Sequence, residues 1–414
     1  MPQIAVIHNR DSLDFVRQVF AAYNAGRFVA LVAAEPGGDT FCDALAPYIP
    51  KERVIPEPGR GWLDVHWPLP DDERPAQIVF SSGTEGRTKA FVLRHRALAD
   101  VAHRLNAAMQ LDKSVREYVA VPVTHSFGLG RCRAVAVAGG KCYLPENGFD
   151  AIEFRRMLAA DQINAISLVP TLLRALLKRP ESIGILGEKV RWIEIGTQHM
   201  SAAEKVQMRE LFPHARILLQ YGLTEAPRTS FLIIDKAAEE HLDSVGQTHG
   251  HTQVRISDSG RIQIRGPHLA DGQLQDGELI PLCGEDGWFE TKDLGSVQDG
   301  YLYYQGRSDD LINCGGIKVD PELLQQRVAE SLDAEQHLAI CGIPDSMWGQ
   351  GFFVAIDVQN ALETIGIRAT SSIKIQQVKT IPCTVTGKVQ RRQLAMLYQT
   401  PTAALQSCLR VSTR

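Results

Sequence analysis

The chain has 414 residues, 44% of them hydrophobic and 22% charged, with a formal net charge of −4. These are the proportions of an ordinary globular protein, long enough for two or more domains at roughly 100–200 residues each. There is no basic surplus, so nucleic acid is excluded as an expected partner.

The start, Met1-Pro2-Gln3-Ile4-Ala5-Val6, lacks a basic region followed by a long apolar core, so no signal peptide is expected. Phe28-Val29-Ala30-Leu31-Val32 and Ile78-Val79-Phe80 predict buried strands, as do residues 117–121, 165–169 and 217–220. Between them, residues 98–109 and 171–177 carry apolar positions at helical spacing. This alternation predicts an α/β fold with layers of parallel strands in a large N-terminal domain, residues 1–306. From about residue 245 to 306 the texture changes to short strands with Gly turns, such as Arg261-Ile262-Gln263-Ile264-Arg265, predicting a small β subdomain. Gly306-Arg307-Ser308-Asp309-Asp310 marks a second boundary, with a hinge at 307–309. Residues 321–332 predict a helix with Pro at its first turn, and residues 338–340 and 352–356 predict strands. They form a small α+β C-terminal domain, residues 310–400, and the tail 401–414 is expected to fray.

Eight cysteines, at 42, 132, 142, 283, 314, 341, 383 and 408, show neither zinc-knuckle spacing nor a disulfide framework. They read as buried or incidental thiols in a reducing compartment. His249 and His251 read as a surface loop rather than a metal site. No stretch approaches the roughly 18 apolar residues that a membrane helix needs, so a soluble, cytoplasmic protein is expected.

The chemistry begins at Ser81-Ser82-Gly83-Thr84-Glu85-Gly86-Arg87-Thr88-Lys89, directly after the strand at 78–80. Gly83 and Gly86 let the backbone approach a ligand, while the hydroxyls, nearby amides and Lys89 suit a polyphosphate. A P-loop is unlike this, because its lysine follows a Gly and precedes Ser or Thr. The segment resembles the phosphate loop of the adenylate-forming superfamily, which contains acyl- and aryl-CoA ligases, peptide-synthetase adenylation domains and luciferases. It departs from the usual pattern at Glu85, Thr88 and Ala90, where the family has Thr, Pro and Gly.

Further motifs follow in the family's order. Pro122-Val123-Thr124-His125-Ser126 resembles the turn at the mouth of the carboxylate pocket, which makes His125, Ser126 and Gly196 acyl-pocket residues by resemblance. Gly196-Thr197-Gln198-His199-Met200-Ser201 stands where backbone covers the adenine, with Thr197, Gln198 and His199 replacing the family's usual residues. Ser201 reads as a helix N-cap. Tyr221-Gly222-Leu223-Thr224-Glu225 matches the family closely. Tyr221 offers an aromatic face, Gly222 close backbone approach, Thr224 a donor to the α-phosphate, and Glu225 a hard oxygen ligand for Mg²⁺. Thr291-Lys292-Asp293 resembles a ribose-binding motif in which Lys292 replaces Gly. The resemblance also makes Arg307 a ligand of ribose or phosphate, Asp309 the hinge, and Gly315-Gly316 the loop admitting a pantetheine thiol. Pro382-Cys383-Thr384-Val385-Thr386-Gly387-Lys388 resembles the C-terminal catalytic segment, with Lys388 reaching the carboxylate and the α-phosphate.

The resemblance implies an AMP-forming ligase: a carboxylic acid and MgATP give acyl-AMP, which passes to coenzyme A or to the phosphopantetheine of an acyl or peptidyl carrier protein. The alternatives are adenylation with another acceptor, or a non-catalytic nucleotide-binding relative. Only 80 residues precede the phosphate loop, fewer than the family usually has. Part of the pocket wall is therefore expected to be missing or supplied by a second copy in a homodimer. Residues 125–130, 196–197 and 226–229 wall the pocket without a recognisable specificity code or a buried Asp or Lys to pair an amino acid. Arg131 and Arg133 are the available basis for a basic entrance facing coenzyme A phosphates, too few to choose the acceptor.

Overall fold

The computed structural model describes residues 4–9, 12–33, 61–64, 67–68, 70, 72–82, 88–146, 148–177, 179–196, 200–275, 277–330, 338–357, 370, 372–383 and 389–399. They divide into two compact units, one of Met1–Thr291 with Gly295–Tyr304, the other of Lys292–Leu294 with Gln305–Arg414.

In the first unit, the strand Ile4–Asn9 pairs in parallel with Phe28–Ala33, which pairs in parallel with Pro75–Ser82. Thr88–Arg94 and then Gly272–Gln275 and Glu278–Pro281 extend this sheet antiparallel. Its strands obey the period of two. Val29, Leu31, Val79, Phe91 and Leu93 enter one apolar cluster, whereas Phe28, Ala30, Ile78, Ala90 and Val92 enter another on the opposite face.

The second sheet has five parallel strands in the spatial order Arg216–Tyr221, Trp192–Gly196, Ala165–Leu168, Arg116–Val119 and Lys141–Leu144. Ser230–Ile233 and Gly61–Leu63 close its edges antiparallel. The helices His95–Met109 and Ser126–Ala138 share one core cluster with residues of both sheets. The other face of the second sheet packs its own cluster with the helices Ala151–Ala159, Pro170–Leu177 and Ala202–Leu211. Each strand is thus covered on both faces, which is why the runs are apolar throughout rather than alternating.

Local chemistry sets the helix starts. Asp150 accepts from the amides of Ile152 and Glu153. Ser201 accepts from the Glu204 amide while the Glu204 carboxylate accepts from the Ser201 amide at 2.8 Å, a capping box. The helix Ser126–Ala138 is buried from Phe127 through Ala136. Arg131 and Arg133, too thin a basis for a basic entrance in the sequence, form none in the structure, because a helix covered all round turns both guanidinium groups into the core (1% and 2% exposed).

A third, four-stranded sheet contains Gln253–Ile256, Arg261–Arg265, Phe289–Gln298 and Tyr301–Arg307. In the second unit, Leu338–Asp345 and Gly349–Ile356 form a long antiparallel pair, joined by Ile373–Gln377 and by the hairpin Ile312–Cys314 and Ile317–Val319. The helices Pro321–Glu330 and Arg391–Gln399 pack against Leu338–Asp345. No helix among the described residues is long and apolar enough to cross a membrane.

Candidate active site

Ser81 and Ser82 end one strand and Lys89 lies on the next, with Ser81 paired to Lys89 and Ser82 to Thr88 across the antiparallel ladder. Residues 81–82 and 88–89 are therefore the two arms of an antiparallel strand pair, unlike the strand-to-helix arrangement of a P-loop. Gly83, Thr84 and Gly86 lie outside the described residues.

The strand Trp192–Gly196 runs parallel to Arg216–Tyr221 with Gly196 opposite Gln220, so two motif-bearing strand ends lie side by side. Thr197, Gln198 and His199 lie outside the described residues. Beyond Tyr221 the chain turns tightly: the Leu223 amide donates to the Ala226 carbonyl at 3.0 Å, and the Ala226 amide returns a bond at 3.2 Å. Gly222 is required there, since a Cβ would strike the Arg228 amide. The Glu225 carbonyl accepts from the Ala270 amide at 2.9 Å, fixing the turn that carries Thr224 and Glu225. Tyr221 sits 6.0 Å from the Tyr304 ring, centroid to centroid, the two planes tilted by 43°.

His125 stands just before the helix Ser126–Ala138 in extended backbone, its Nδ1 3.1 Å from the Thr124 hydroxyl. Ser126 opens that helix. Behind both lies a buried ion network that the motifs did not announce. Arg131 donates to Glu117 and, at 2.9 Å, to Glu194 Oε2; Arg228 donates to Glu194 Oε1 at 2.8 Å. All four side chains are at most 2% exposed. Burial opposes the charge on Arg131, but the two carboxylates outweigh it and push its pKa above the ordinary arginine value. One sign was present in the sequence: Glu194 interrupts the apolar strand Trp192–Gly196.

In the second unit, Arg307 lies between acids. Its Nε is 3.0 Å from Asp309 Oδ1, and a terminal nitrogen is 3.5 Å from Asp293 Oδ1. Lys292 reaches Asp309 Oδ2 at 3.2 Å. The residues expected at ribose and hinge are thus neighbours on one strip. Gly315 and Gly316 form the hairpin turn at φ 60° and 89°, the left-handed pair that a two-residue turn of this hand needs. The Gly315 amide donates to the Trp348 carbonyl at 2.9 Å, and the indole lies where a Cβ would stand. Lys388 lies outside the described residues; Cys383 and Val389, which flank its segment, form an antiparallel bridge.

No three His, Cys, Asp or Glu side chains cluster to hold a metal among the described residues. Glu225 and the Thr224 hydroxyl present hard oxygens, a donor set that fits Mg²⁺ sharing its remaining positions with phosphate and water.

Comparisons with known proteins identify the family and the fold. The model of the AMP-binding enzyme family matches residues 31–274. The 2-succinylbenzoate–CoA ligase of Listeria monocytogenes is 29% identical over 338 residues, covering 78% of this chain and 70% of that one. The 4-coumarate–CoA ligase-like 4 protein of Oryza sativa is 27% identical over 402 residues, covering 90% and 71%. In fold, the chain resembles the o-succinylbenzoate CoA synthetase of Bacillus subtilis, with a TM-score of 0.75 at 18% identity, covering 94% of this chain and 87% of that one. With more than half its length matched by the family model, and the family's motif-bearing strand ends adjacent in space, the chain belongs to the AMP-binding enzymes, the adenylate-forming superfamily.

Proposed function

We propose that this enzyme activates a carboxylic acid with MgATP to acyl-AMP and transfers the acyl group to a thiol, with coenzyme A as the leading acceptor. The observation that carries this reading is the fixed turn bearing Thr224 and Glu225 at the end of Arg216–Tyr221, beside Gly196 and within a family match spanning residues 31–274. Several relatives, including the 2-succinylbenzoate and indoleacetate enzymes, are named as CoA ligases, which supports the thiol step.

In the first half-reaction a carboxylate oxygen attacks the α-phosphorus. The bond from that phosphorus to the bridging oxygen breaks, and pyrophosphate leaves. The attacking carboxylate is already ionised at neutral pH, so no general base is needed. Negative charge accumulates on the phosphoryl oxygens, and Thr224, Lys89, Lys388 and the Ser81–Ser82 hydroxyls are the groups proposed to meet it. Mg²⁺, held by Glu225, would supply further charge neutralisation. In the second half-reaction the thiol sulfur attacks the acyl carbon, the bond to AMP breaks, and the thiol proton is released to solvent. Gly315 and Gly316 are proposed to admit the pantetheine, and Asp309 to be the pivot between half-reactions.

The test is pyrophosphate release with MgATP against aryl, short-chain and long-chain acids, with and without coenzyme A. Release with one acid class, and a thioester only when coenzyme A is present, is the expected outcome. Adenylate without thioester would move the acceptor to a carrier protein or another nucleophile. ATP binding with no release from any acid would overturn the catalytic reading. Lys388→Ala is expected to lose adenylation while keeping ATP binding.

A further inference from the structure

Three segments placed at the substrates meet on one buried side chain that no motif assigns. Arg228 follows Glu225 by three residues, in left-handed backbone at φ 55°. Its Nε holds Glu194, two residues before Gly196, and a terminal nitrogen donates to the Phe127 carbonyl at 3.2 Å, one residue after Ser126. Its own carbonyl accepts from the Arg104 guanidinium at 2.8 Å, and Arg104 is anchored in turn by Asp100 at 2.6 Å. The surrounding backbone is fitted to it. A Cβ on Gly130 would collide with the Arg228 guanidinium, as one on Gly222 would with its amide.

Such a cluster is a poor means of adding stability. Desolvating four charges offsets much of their attraction, and well-packed apolar replacements are often as stable. What a fork bonded to a carboxylate does supply is geometry, because both nitrogens and both oxygens must stay in one plane. A left-handed non-glycine residue also carries a backbone cost that the surrounding contacts must offset. These features favour a device that defines one arrangement of the loop over one that merely fills the core.

We propose that Arg228 is a positioning residue for adenylation. It ties the Thr224–Glu225 turn to the His125–Ser126 turn and to the Gly196 strand end, so the nucleotide and the acid meet in one geometry. This rests on the adenylation reading above.

The experiment compares the wild-type enzyme, Arg228→Met, the double variant Arg228→Met with Glu194→Met, and Arg228→Lys. Arg228→Met alone leaves Arg131 facing both Glu117 and Glu194 with one carboxylate charge uncompensated, so a lower Tm is expected. The double variant leaves Arg131 paired with Glu117, and its Tm is expected to recover. Positioning predicts that stability returns without function. In the double variant the Mg²⁺ concentration for half-maximal ATP binding, read by calorimetry, should rise about tenfold or more. The kcat of acid-dependent pyrophosphate release should fall about a hundredfold, with a smaller change in the KM for acid. A double variant with wild-type Tm, Mg²⁺ dependence and kcat would overturn the proposal and leave the cluster purely structural.

If the double variant does not fold, Arg228→Lys carries the test. It keeps the charge, loses the fork, and should show the same split between Tm and Mg²⁺ dependence; an unchanged Mg²⁺ dependence overturns the proposal. A wild-type enzyme that binds ATP yet releases no pyrophosphate would sink the adenylation reading instead. The calorimetric comparison would still decide whether Arg228 positions the nucleotide turn.

Discussion

Lys292 and Arg307 grip one carboxylate together: Arg307 forks onto both oxygens of Asp309, at 3.0 Å to Oδ1 and 3.3 Å to Oδ2, and Lys292 Nζ shares Oδ2 at 3.2 Å. Burial alone would raise the Asp309 carboxyl, but the Arg307 hydrogen bond and charge, with Lys292, outweigh it and hold the pKa at about 2. Where the family has Gly, this chain therefore has a second cation on the proposed pivot. Lys292→Gly removes a partly exposed pair worth about 0.2–1 kcal/mol, so Tm should barely move. The thioester half-reaction, measured by rapid quench from preformed acyl-AMP, should accelerate about two- to fivefold if breaking this contact limits it. Acyl-AMP formation should keep its rate. A slower thioester step would show that Lys292 assists the pivot rather than restraining it.

Glu225→Gln keeps the shape of the turn and removes the charge proposed to face Mg²⁺. A loss of about 10²–10³ in kcat is expected, as for other single groups that stabilise developing charge. Initial rates over a Mg²⁺ titration check this. A variant with wild-type rate at every Mg²⁺ concentration would exclude Glu225 as the ligand.

His268 is fully buried, its ring nitrogens 3.2 Å and 3.4 Å from the Thr229 and Thr252 hydroxyls. Burial, then the Arg104 charge, pushes the imidazole from 6.5 down to about 3. Between those values the unfolded chain carries a proton that the folded chain does not. The His268 contribution to stability is therefore complete above about pH 6.5 and is lost as the pH drops toward 3. Denaturant midpoints at pH 7, 5.5 and 4.5 should decline in the wild type and decline less in His268→Gln. Equal slopes would show that other groups dominate acid lability.

Ser201→Ala removes one half of the capping box on Ala202–Leu211 and should cost about 1 kcal/mol of stability. A denaturant melt measures it, and Ser201→Asp should recover most of the loss, since Asp accepts the same amide bond.

The α/β alternation and the motif order were readable in the sequence because both are local. Apolar runs such as Ile193 and Ile195 mark buried strands, and Tyr221–Glu225 is contiguous. The hairpin under the phosphate loop was less evident, because Thr88–Arg94 reads equally well as the start of a helix until its partner strand is known. The ion network was not readable as a network. Glu117, Arg131, Glu194 and Arg228 are far apart in the chain, and only the parallel register brings Glu194 beneath both arginines. Arg131 and Arg133 looked like surface charge because sequence alone does not reveal that a helix is covered on every side.

The ladder that pairs Ser81 with Lys89 has an evolutionary corollary. Directly opposed residues on an antiparallel pair share a face, and the neighbours Val79 and Phe91 place that face toward the central helices. A substitution at Glu85, which already departs from the family pattern, leaves this pairing intact. A single-residue insertion within either strand does the opposite, turning the hydroxyl or the amine to the far side of the sheet. A one-residue slip in either strand is thus expected to be as damaging as the loss of Gly83 or Gly86, although nothing in the motif itself would announce it.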